Sequence, residues 1–85
     1  MKEKIELRKQ SKKLSPIINI GKSGLTANVV LSLDRLLKQR NLIKIRLLRA
    51  FFTGKNKEEL IQELVQKTQS QLIDSVGNIV VIYKK

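Results

Sequence analysis

The segment PIINIGKSGLT, residues 16–26, joins a short apolar run to the start of a helical pattern. The run Ile17–Ile20 is bounded by Pro16 and Gly21, which favours a buried strand over a single turn of helix. Gly21 and Gly24 stand three residues apart, and glycine lets a chain turn tightly and approach a ligand without an intervening Cβ. The segment therefore predicts a strand, a tight turn and a helix in succession.

The turn Gly21–Gly24 precedes a predicted helix start, where unpaired N–H groups and the positive end of the helix dipole attract anions. The alternative is that both glycines only satisfy the backbone of a strand-to-helix connection. The nucleotide-binding P-loop is not matched, because its pattern needs a glycine five positions before Gly21, where Pro16 stands. One phosphate of a polymer suits this turn better than a triphosphate with magnesium.

A helix is predicted after Thr26, whose hydroxyl can accept a hydrogen bond from a backbone N–H in the first turn. Apolar residues recur on one face with helical spacing, and polar residues occupy the other face. The apolar positions are Val29, Val30, Leu33, Leu36 and Leu37. Asn41 is a candidate left-handed residue at the end of this helix.

Residues 42–50 alternate in polarity, which predicts a second strand. One face carries Ile43, Ile45 and Leu47. Lys44 and Arg46 project from the other face, either to protect an edge strand from aggregation or to contact phosphates. Phe51 and Phe52 then lead into a loop with Thr53 and Gly54, and they can either pack in the core or stack on bases.

The amino-terminal segment, residues 2–13, predicts a basic helix that Ser15-Pro16 ends. Leu7, Ser11 and Leu14 form its narrow seam. Its adjacency to the turn in sequence predicts that the first and second helices flank the turn and centre a basic surface there.

The rest of the chain predicts a helix and a hairpin. Asn56 and Glu59 resemble a capping box before a helix from about Lys57 to Gln69. Leu72–Val76 and Ile79–Tyr83 flank Gly77-Asn78, a two-residue hairpin connection. The element order is α-β-α-β-α-β-β, which predicts one two-layer α/β (α+β) domain over residues 1–85 with a four-stranded mixed sheet packed by helices.

The composition points to a polyanionic partner. Eighteen Lys and Arg residues against seven Asp and Glu residues give a formal net charge of +11. The chain has no Cys and no His, which excludes disulfides, thiolate zinc sites and imidazole chemistry. Its carboxylates form no pair suited to catalysis, so we expect neither an enzyme nor a bound metal or cofactor.

A membrane partner is disfavoured, because the apolar stripe of the first helix is thin and the longest apolar run, Ile79–Tyr83, is far below the roughly 18 residues of a spanning helix. The charged amino terminus also lacks the apolar region of a secretory signal. These features predict a cytoplasmic protein, and we expect a monomer.

Three blocks of this sequence resemble the CRM domain family, the small RNA-binding domains related to bacterial YhbY and repeated in plant organelle splicing factors. The blocks are Leu14–Thr26, Leu42–Arg46 and Val76–Tyr83. The resemblance implies a fold similar to the C-terminal domain of bacterial translation initiation factor three, with a loop like the GxxG loop of KH domains. It also implies an association with precursors of the large ribosomal subunit, although Phe51 and Phe52 stand where bacterial members are usually more polar.

Both lines of reasoning predict an RNA-binding protein that contacts structured RNA, with ribosomal RNA as the implied target. The resemblance assigns the turn to the RNA-contacting loop and Lys44 and Arg46 to basic strand positions. The full set of predicted RNA-binding residues is Gly21, Lys22, Ser23, Gly24, Thr26, Lys9, Lys12, Lys13, Lys44 and Arg46. The alternative function is a ribosome- or protein-docking module that binds an acidic partner.

Overall fold

The computed structural model describes residues 4–52 and 56–85. Within these residues, three α-helices and four strands follow one another in the order that the sequence predicts, and a 3-10 helix that was not predicted follows the second strand. The elements are α1 (Lys4–Ser11), β1 (Ile18–Ile20), α2 (Ala27–Arg40), β2 (Leu42–Leu47), the 3-10 helix (Arg49–Phe52), α3 (Lys57–Thr68), β3 (Gln71–Val76) and β4 (Ile79–Tyr83).

The four strands form one mixed sheet in the order β1-β2-β4-β3. β1 pairs with β2 in parallel, and β4 runs antiparallel to both β2 and β3. The predicted α+β fold with a four-stranded mixed sheet is therefore confirmed. β2 lies in the interior of the sheet, and β1 and β3 are the edge strands.

The main core lies between the sheet and the helices α2 and α3. β2 contributes its predicted apolar face, including Ile43 and Ile45, and β4 contributes Val80 and Ile82. The helices contribute their predicted stripes, and Leu33 of α2 and Leu64 of α3 are completely buried in this core. Alternation along the strands therefore assigned the main core face correctly.

A second, smaller cluster covers part of the opposite sheet face. It joins Leu7 of α1 to Leu42, Ile73 and Val81, with Leu14 and Tyr83 packed against it. The seam of α1 is as predicted, because Leu7 and Ser11 are both buried. The predicted two-layer arrangement therefore describes α2 and α3, while α1 adds a partial third layer on the other face.

A β-bulge in β3 shapes this second face. Leu72 pairs with Ile82 and Asp74 pairs with Val81, so Ile73 is the extra residue. Ile73 is buried in the α1 cluster, and Asp74 reaches Arg8 of α1, with 3.9 Å between Arg8 Nε and Asp74 Oδ1. The bulge thus turns two successive side chains towards α1.

The prediction that β2 continues to Ala50 is wrong. Leu47 N–H donates to the Asn78 carbonyl oxygen, and Leu48 N–H donates to the Ile20 carbonyl oxygen, each over less than 3 Å. β4 begins only at Ile79, so beyond Leu47 the chain has no further strand residue to pair with on that side. The chain turns into the 3-10 helix instead, while Thr53 and Gly54 of the predicted loop lie outside the described residues.

The helix ends agree closely with the sequence signals. Thr26 caps α2, and its Oγ1 accepts from Val29 N–H at 3.2 Å. Asn56 caps α3, but its Oδ1 accepts from Glu58 N–H at 2.8 Å. Asn41 has a positive φ of 64°, although its ψ of −42° places it outside the predicted left-handed helical region. α1 ends at Ser11, earlier than predicted.

Candidate nucleic-acid interface

The glycine-bracketed turn stands at the end of the sheet where β1 and β2 terminate. Gly24 N–H donates to the Gly21 carbonyl oxygen at 2.9 Å, so residues 21–24 close a four-residue turn. Lys22 and Ser23 occupy its central positions and are exposed. Gly24 has a φ of +70°, a conformation that costs residues with a Cβ about 1–2 kcal/mol.

This hydrogen bond changes the predicted role of Gly24. Its N–H closes the turn and is not available to an anion. Within the described chain, the backbone N–H groups of Lys22, Ser23, Ala27 and Asn28 have no hydrogen-bond partner. The free donors of this region are therefore the centre of the turn and the first turn of α2, as expected for a helix amino terminus.

The amino termini of α2 and α3 differ in charge. α3 carries Glu58 and Glu59 in its first turn, which complement the positive end of its dipole. α2 carries no acidic residue in its first turn, and the exposed Lys22 precedes it in the turn. The amino terminus of α2, unlike that of α3, therefore has no acidic side chain that offsets its attraction for an external anion.

Phe51 of the 3-10 helix packs against the turn. Its side chain is only 7% exposed and packs in the main core. A Cβ added to Gly24 would lie 3.7 Å from Phe51 Cε1, so the ring lies directly against the turn. Phe51 therefore follows the packing alternative of the sequence analysis, while the side chain of Phe52 lies outside the described part of the protein.

A surface cavity of about 590 Å³ opens between the turn, the 3-10 helix and α3. The turn side and the 3-10 helix supply Lys22, Ser23, Gly24, Leu25, Ala50 and Phe51. Leu60 and Glu63 of α3 complete the lining. Sequence reasoning missed this cavity, because no local pattern indicates that α3 lies beside the turn.

Lys44 and Arg46 lie on the sheet face that α1 partly covers. Arg46 is exposed and Lys44 is half-buried. Since β2 is an interior strand, the alternative that these cations protect a sheet edge is wrong. Within residues 4–52 and 56–85, neither side chain takes part in an ion pair or hydrogen bond. Two cations on an interior strand without a protein partner favour a contact with an external anion.

The predicted basic residues do not converge on one centre. Lys12 and Lys44 line a groove of about 270 Å³ on the α1 face, and Lys13 lies beside Lys44 in a neighbouring groove. Gln10 of α1 lines a cavity with Arg40, at the end of α2 that lies farthest from the turn. The expectation that the first and second helices both flank the turn is therefore wrong, because α1 packs on the sheet face opposite to α2.

Lys9 stands apart from the other candidates. It is exposed, and it lies about 160–200° around α1 from the buried residues Leu7 and Ser11 at 100° per residue. Its side chain therefore projects away from the sheet. Lys9 can widen a basic footprint, but it shares no surface with the turn.

Arg49 is a basic residue at the turn that sequence reasoning did not select. It opens the 3-10 helix and is exposed. The N–H of its neighbour Leu48 donates to the Ile20 carbonyl oxygen. The Leu48 side chain lies against the turn, because a Cβ added to Gly21 would be 3.3 Å from Leu48 Cδ1. Sequence reasoning did not select Arg49, because it predicted one alternating strand over residues 42–50.

The protein shows no sign of a metal site or a membrane span in the part that the structure describes. No three His, Cys, Asp or Glu side chains gather there. No helix in those residues is long and apolar enough to cross a lipid bilayer.

These features define the class: a small, strongly basic α+β domain with an exposed glycine-bracketed turn at a helix amino terminus. The model of the CRS1 / YhbY (CRM) domain family matches residues 1–84, and the chain belongs to this family. The resemblance found in the sequence is thereby confirmed. The implied similarity to the C-terminal domain of initiation factor three stays a prediction.

Known relatives agree over nearly the whole chain. The probable RNA-binding protein YqeI of Bacillus subtilis is 34% identical over 84 residues, which are 99% of this chain and 85% of that protein. An RNA-binding protein of Haemophilus influenzae is 28% identical and covers 98% of this chain, with 82% of its own length matched. The solution structure of a hypothetical protein from Staphylococcus aureus superimposes with a TM-score of 0.78 at 35% identity, covering 96% of this chain and 83% of that one.

Proposed function

We propose that this protein binds RNA, with the Gly21–Gly24 turn and the amino terminus of α2 as its main phosphate contact. The observation that carries the proposal is the absence of any acidic residue in the first turn of α2, next to free N–H groups and the exposed Lys22. The relatives named as RNA-binding proteins support RNA over other polyanions.

In this mechanism, the turn acts as a backbone clamp. The N–H groups of Lys22 and Ser23 donate to a phosphate oxygen, and the Lys22 ammonium adds charge. The α2 dipole stabilises the same anion. Arg46 and Arg49 extend the contact to neighbouring phosphates, and Lys44, Lys12 and Lys13 continue it on the α1 face. Such contacts carry little base information, so affinity falls steeply with salt and RNA shape provides most of the specificity.

We further propose that this protein acts on structured ribosomal RNA, in particular on precursors of the large ribosomal subunit. We propose that it is cytoplasmic and has no catalytic activity. The resemblance to stand-alone bacterial members of the family supports this target. The absence of His and Cys from the sequence also removes the commonest catalytic bases and thiol nucleophiles.

The direct test replaces the centre of the turn with acidic residues. We expect K22D/S23D to weaken binding to structured RNA about 10- to 100-fold, because it removes donors and places negative charge at the phosphate. The melting temperature should stay near that of the wild type, because both side chains are exposed. Fluorescence anisotropy and thermal unfolding measure the two quantities.

The matched control is K38E/Q39E, at the opposite end of α2. Both double variants lower the formal net charge from +11 to +8. A 14-residue helix is about 20 Å long, so the control charges lie far from the turn. Equal losses of RNA affinity in the two variants would refute the turn as the contact. If the wild type binds an acidic protein but does not bind RNA, the docking function is favoured instead.

A further inference from the structure

The cavity beside the turn holds a side chain that phosphate binding does not explain. Among the described residues that line it, Glu63 of α3 carries the only carboxylate. A negative charge next to a phosphate-binding turn disfavours the phosphate itself. Glu63 must therefore have a purely structural role, or it must recognise a different part of the ligand.

The surroundings of Glu63 leave it able to accept hydrogen bonds. Its Oε1 lies 3.1 Å from Lys67 Nζ, one helical turn further along α3, and both side chains are nearly half exposed. Exposed pairs of this kind contribute only about 0.3–0.5 kcal/mol, so this pair stabilises α3 only weakly. Its Oε2 has no partner within the described chain. An ionised carboxylate is acceptor-only, so its ligand must present donors.

The remaining walls combine an apolar floor with a polar rim, which suits a base joined to its phosphate. Phe51 and Leu60 are buried core residues that form the floor, and Leu25 is half-buried beside them. The volume of about 590 Å³ lies inside the range of about 300–1,000 Å³ typical of small-ligand sites. Lys22 and Ser23 stand on the rim. A nucleotide whose phosphate is held at the rim can thus place its base inside.

We infer that this cavity receives one unpaired base of the bound RNA and that Glu63 favours guanine there. The inference rests on the proposed function, because the phosphate contact brings the nucleotide to the cavity. Guanine presents N1–H and N2–H side by side, and a carboxylate accepts both at once. Adenine and cytosine offer one amino group at this edge. Uracil offers one N–H between two carbonyl oxygens, which repel a carboxylate.

The expected order of preference is therefore guanine first, adenine and cytosine next, and uracil last. Sequence-specific RNA recognition commonly targets single-stranded segments whose bases are splayed out, which is the form that the cavity requires. Glu63 thus adds base selectivity at one nucleotide to binding that otherwise follows charge and shape.

The test compares two short single-stranded RNAs, an all-uridine oligomer and the same oligomer with one central guanosine, by fluorescence anisotropy at low salt. We expect the wild type to bind the guanosine oligomer about tenfold more tightly, since one bidentate base contact discriminates by about 1–3 kcal/mol. E63Q should reduce this ratio to about one. Its affinity for the all-uridine oligomer should stay equal or rise slightly, because a negative charge is removed near the phosphates.

Two control variants separate base recognition from charge and from helix stability. K67Q breaks the same ion pair but keeps the carboxylate, so it should retain the tenfold ratio. E58Q removes one negative charge from an exposed position of α3 that does not line the cavity, so it should also retain the ratio. Thermal unfolding should place all three variants near the wild type.

The outcomes distinguish this inference from the proposed function. A wild-type ratio near one, or a ratio that survives in E63Q, overturns the guanine site while salt-dependent RNA binding leaves the proposed function standing. If the wild type binds neither the oligomers nor structured RNA, the proposed function itself fails and the inference fails with it.

Discussion

The two ends of the sheet use their basic residues differently. Away from the turn, two cations are engaged within the protein: Arg8 of α1 lies 3.9 Å from Asp74, and Lys84 Nζ lies 3.8 Å from Asp34 Oδ1 of α2. Lys9, Lys12 and Lys13 form no ion pair within residues 4–52 and 56–85. At the end that carries the turn, Lys22, Arg46 and Arg49 have no ion-pair partner among residues 4–52 and 56–85. A net charge of +11 therefore does not locate the site by itself, and we propose that the site lies where unpartnered cations meet the free N–H groups of the turn and of α2.

The difference has an energetic meaning. Like charges gathered at one end of a small domain repel each other, and solvent and salt reduce this cost without removing it. A polyanion that binds there relieves the repulsion and releases its own counterions. Asp74 and Asp34 already compensate the charges of Arg8 and Lys84, although Asp34 Oδ1 is buried and makes no hydrogen bond in the described chain.

The largest expected effect concerns the packing of α1 on the sheet. L7A should lower the free energy of unfolding by about 2–5 kcal/mol, because Leu7 is 2% exposed and anchors α1 on the sheet. RNA affinity, corrected for the folded fraction, should fall far less than in K22D/S23D, because Leu7 does not lie at the turn and α1 positions only the outer contacts of Lys12 and Lys13. Urea unfolding and anisotropy measure the two quantities.

L31A is the matched control for L7A. Leu31 is 61% exposed on α2, so the same truncation there should change stability by no more than about 0.5 kcal/mol. The comparison of the two ends breaks down if L7A lowers the RNA affinity of the folded protein as much as K22D/S23D does. The α1 face would then contribute as much to RNA binding as the turn does.

An intermediate effect concerns the two cations of β2, Lys44 and Arg46, on the sheet face that α1 partly covers. K44Q/R46Q should lower RNA affinity about 5- to 30-fold, corresponding to about 1–2 kcal/mol for two solvent-exposed contacts between a cation and a phosphate. The slope of log affinity against log salt should fall by about two, one for each phosphate that the variant no longer neutralises. Stability should not decrease, because neither side chain has a partner within the described chain.

K38Q/K67Q removes two positive charges elsewhere, one from the last turn of α2 and one from α3. It should leave the salt slope nearly unchanged. A slope that falls equally in both double variants would show that the sheet face makes no phosphate contact of its own. A slope that falls only in K44Q/R46Q would support the proposed phosphate contacts on the α1 face.

Local patterns predicted the local features of this fold. The Thr26 cap, the Gly77-Asn78 hairpin and the alternation of β2 each depend on residues close in sequence, and the structure confirms all three. The CRM family signature was readable for the same reason, because its most specific block, Leu14–Thr26, is one continuous segment.

Features that depend on distant partners could not be predicted. The end of β2 at Leu47 is set by where β1 and β4 supply partners, which the residues of β2 alone do not show. The interior place of β2 follows from a sheet order that no local pattern contains. The approach of Glu63 to the turn depends on how α3 packs, and periodicity only assigns its buried face.

The smallest expected effect gives the sharpest comparison between the two ends. R8Q and K22Q each lower the formal net charge from +11 to +10. If net charge governs affinity, the two variants bind RNA equally well. If unpartnered cations at the turn govern it, K22Q binds RNA more weakly, because its side chain no longer neutralises a phosphate, and R8Q keeps nearly wild-type affinity and salt slope. R8Q should instead cost less than about 1 kcal/mol of stability, because its pair with Asp74 is long and its side chain is 47% exposed. Anisotropy titrations of both variants over a range of salt, beside urea unfolding, decide between these alternatives.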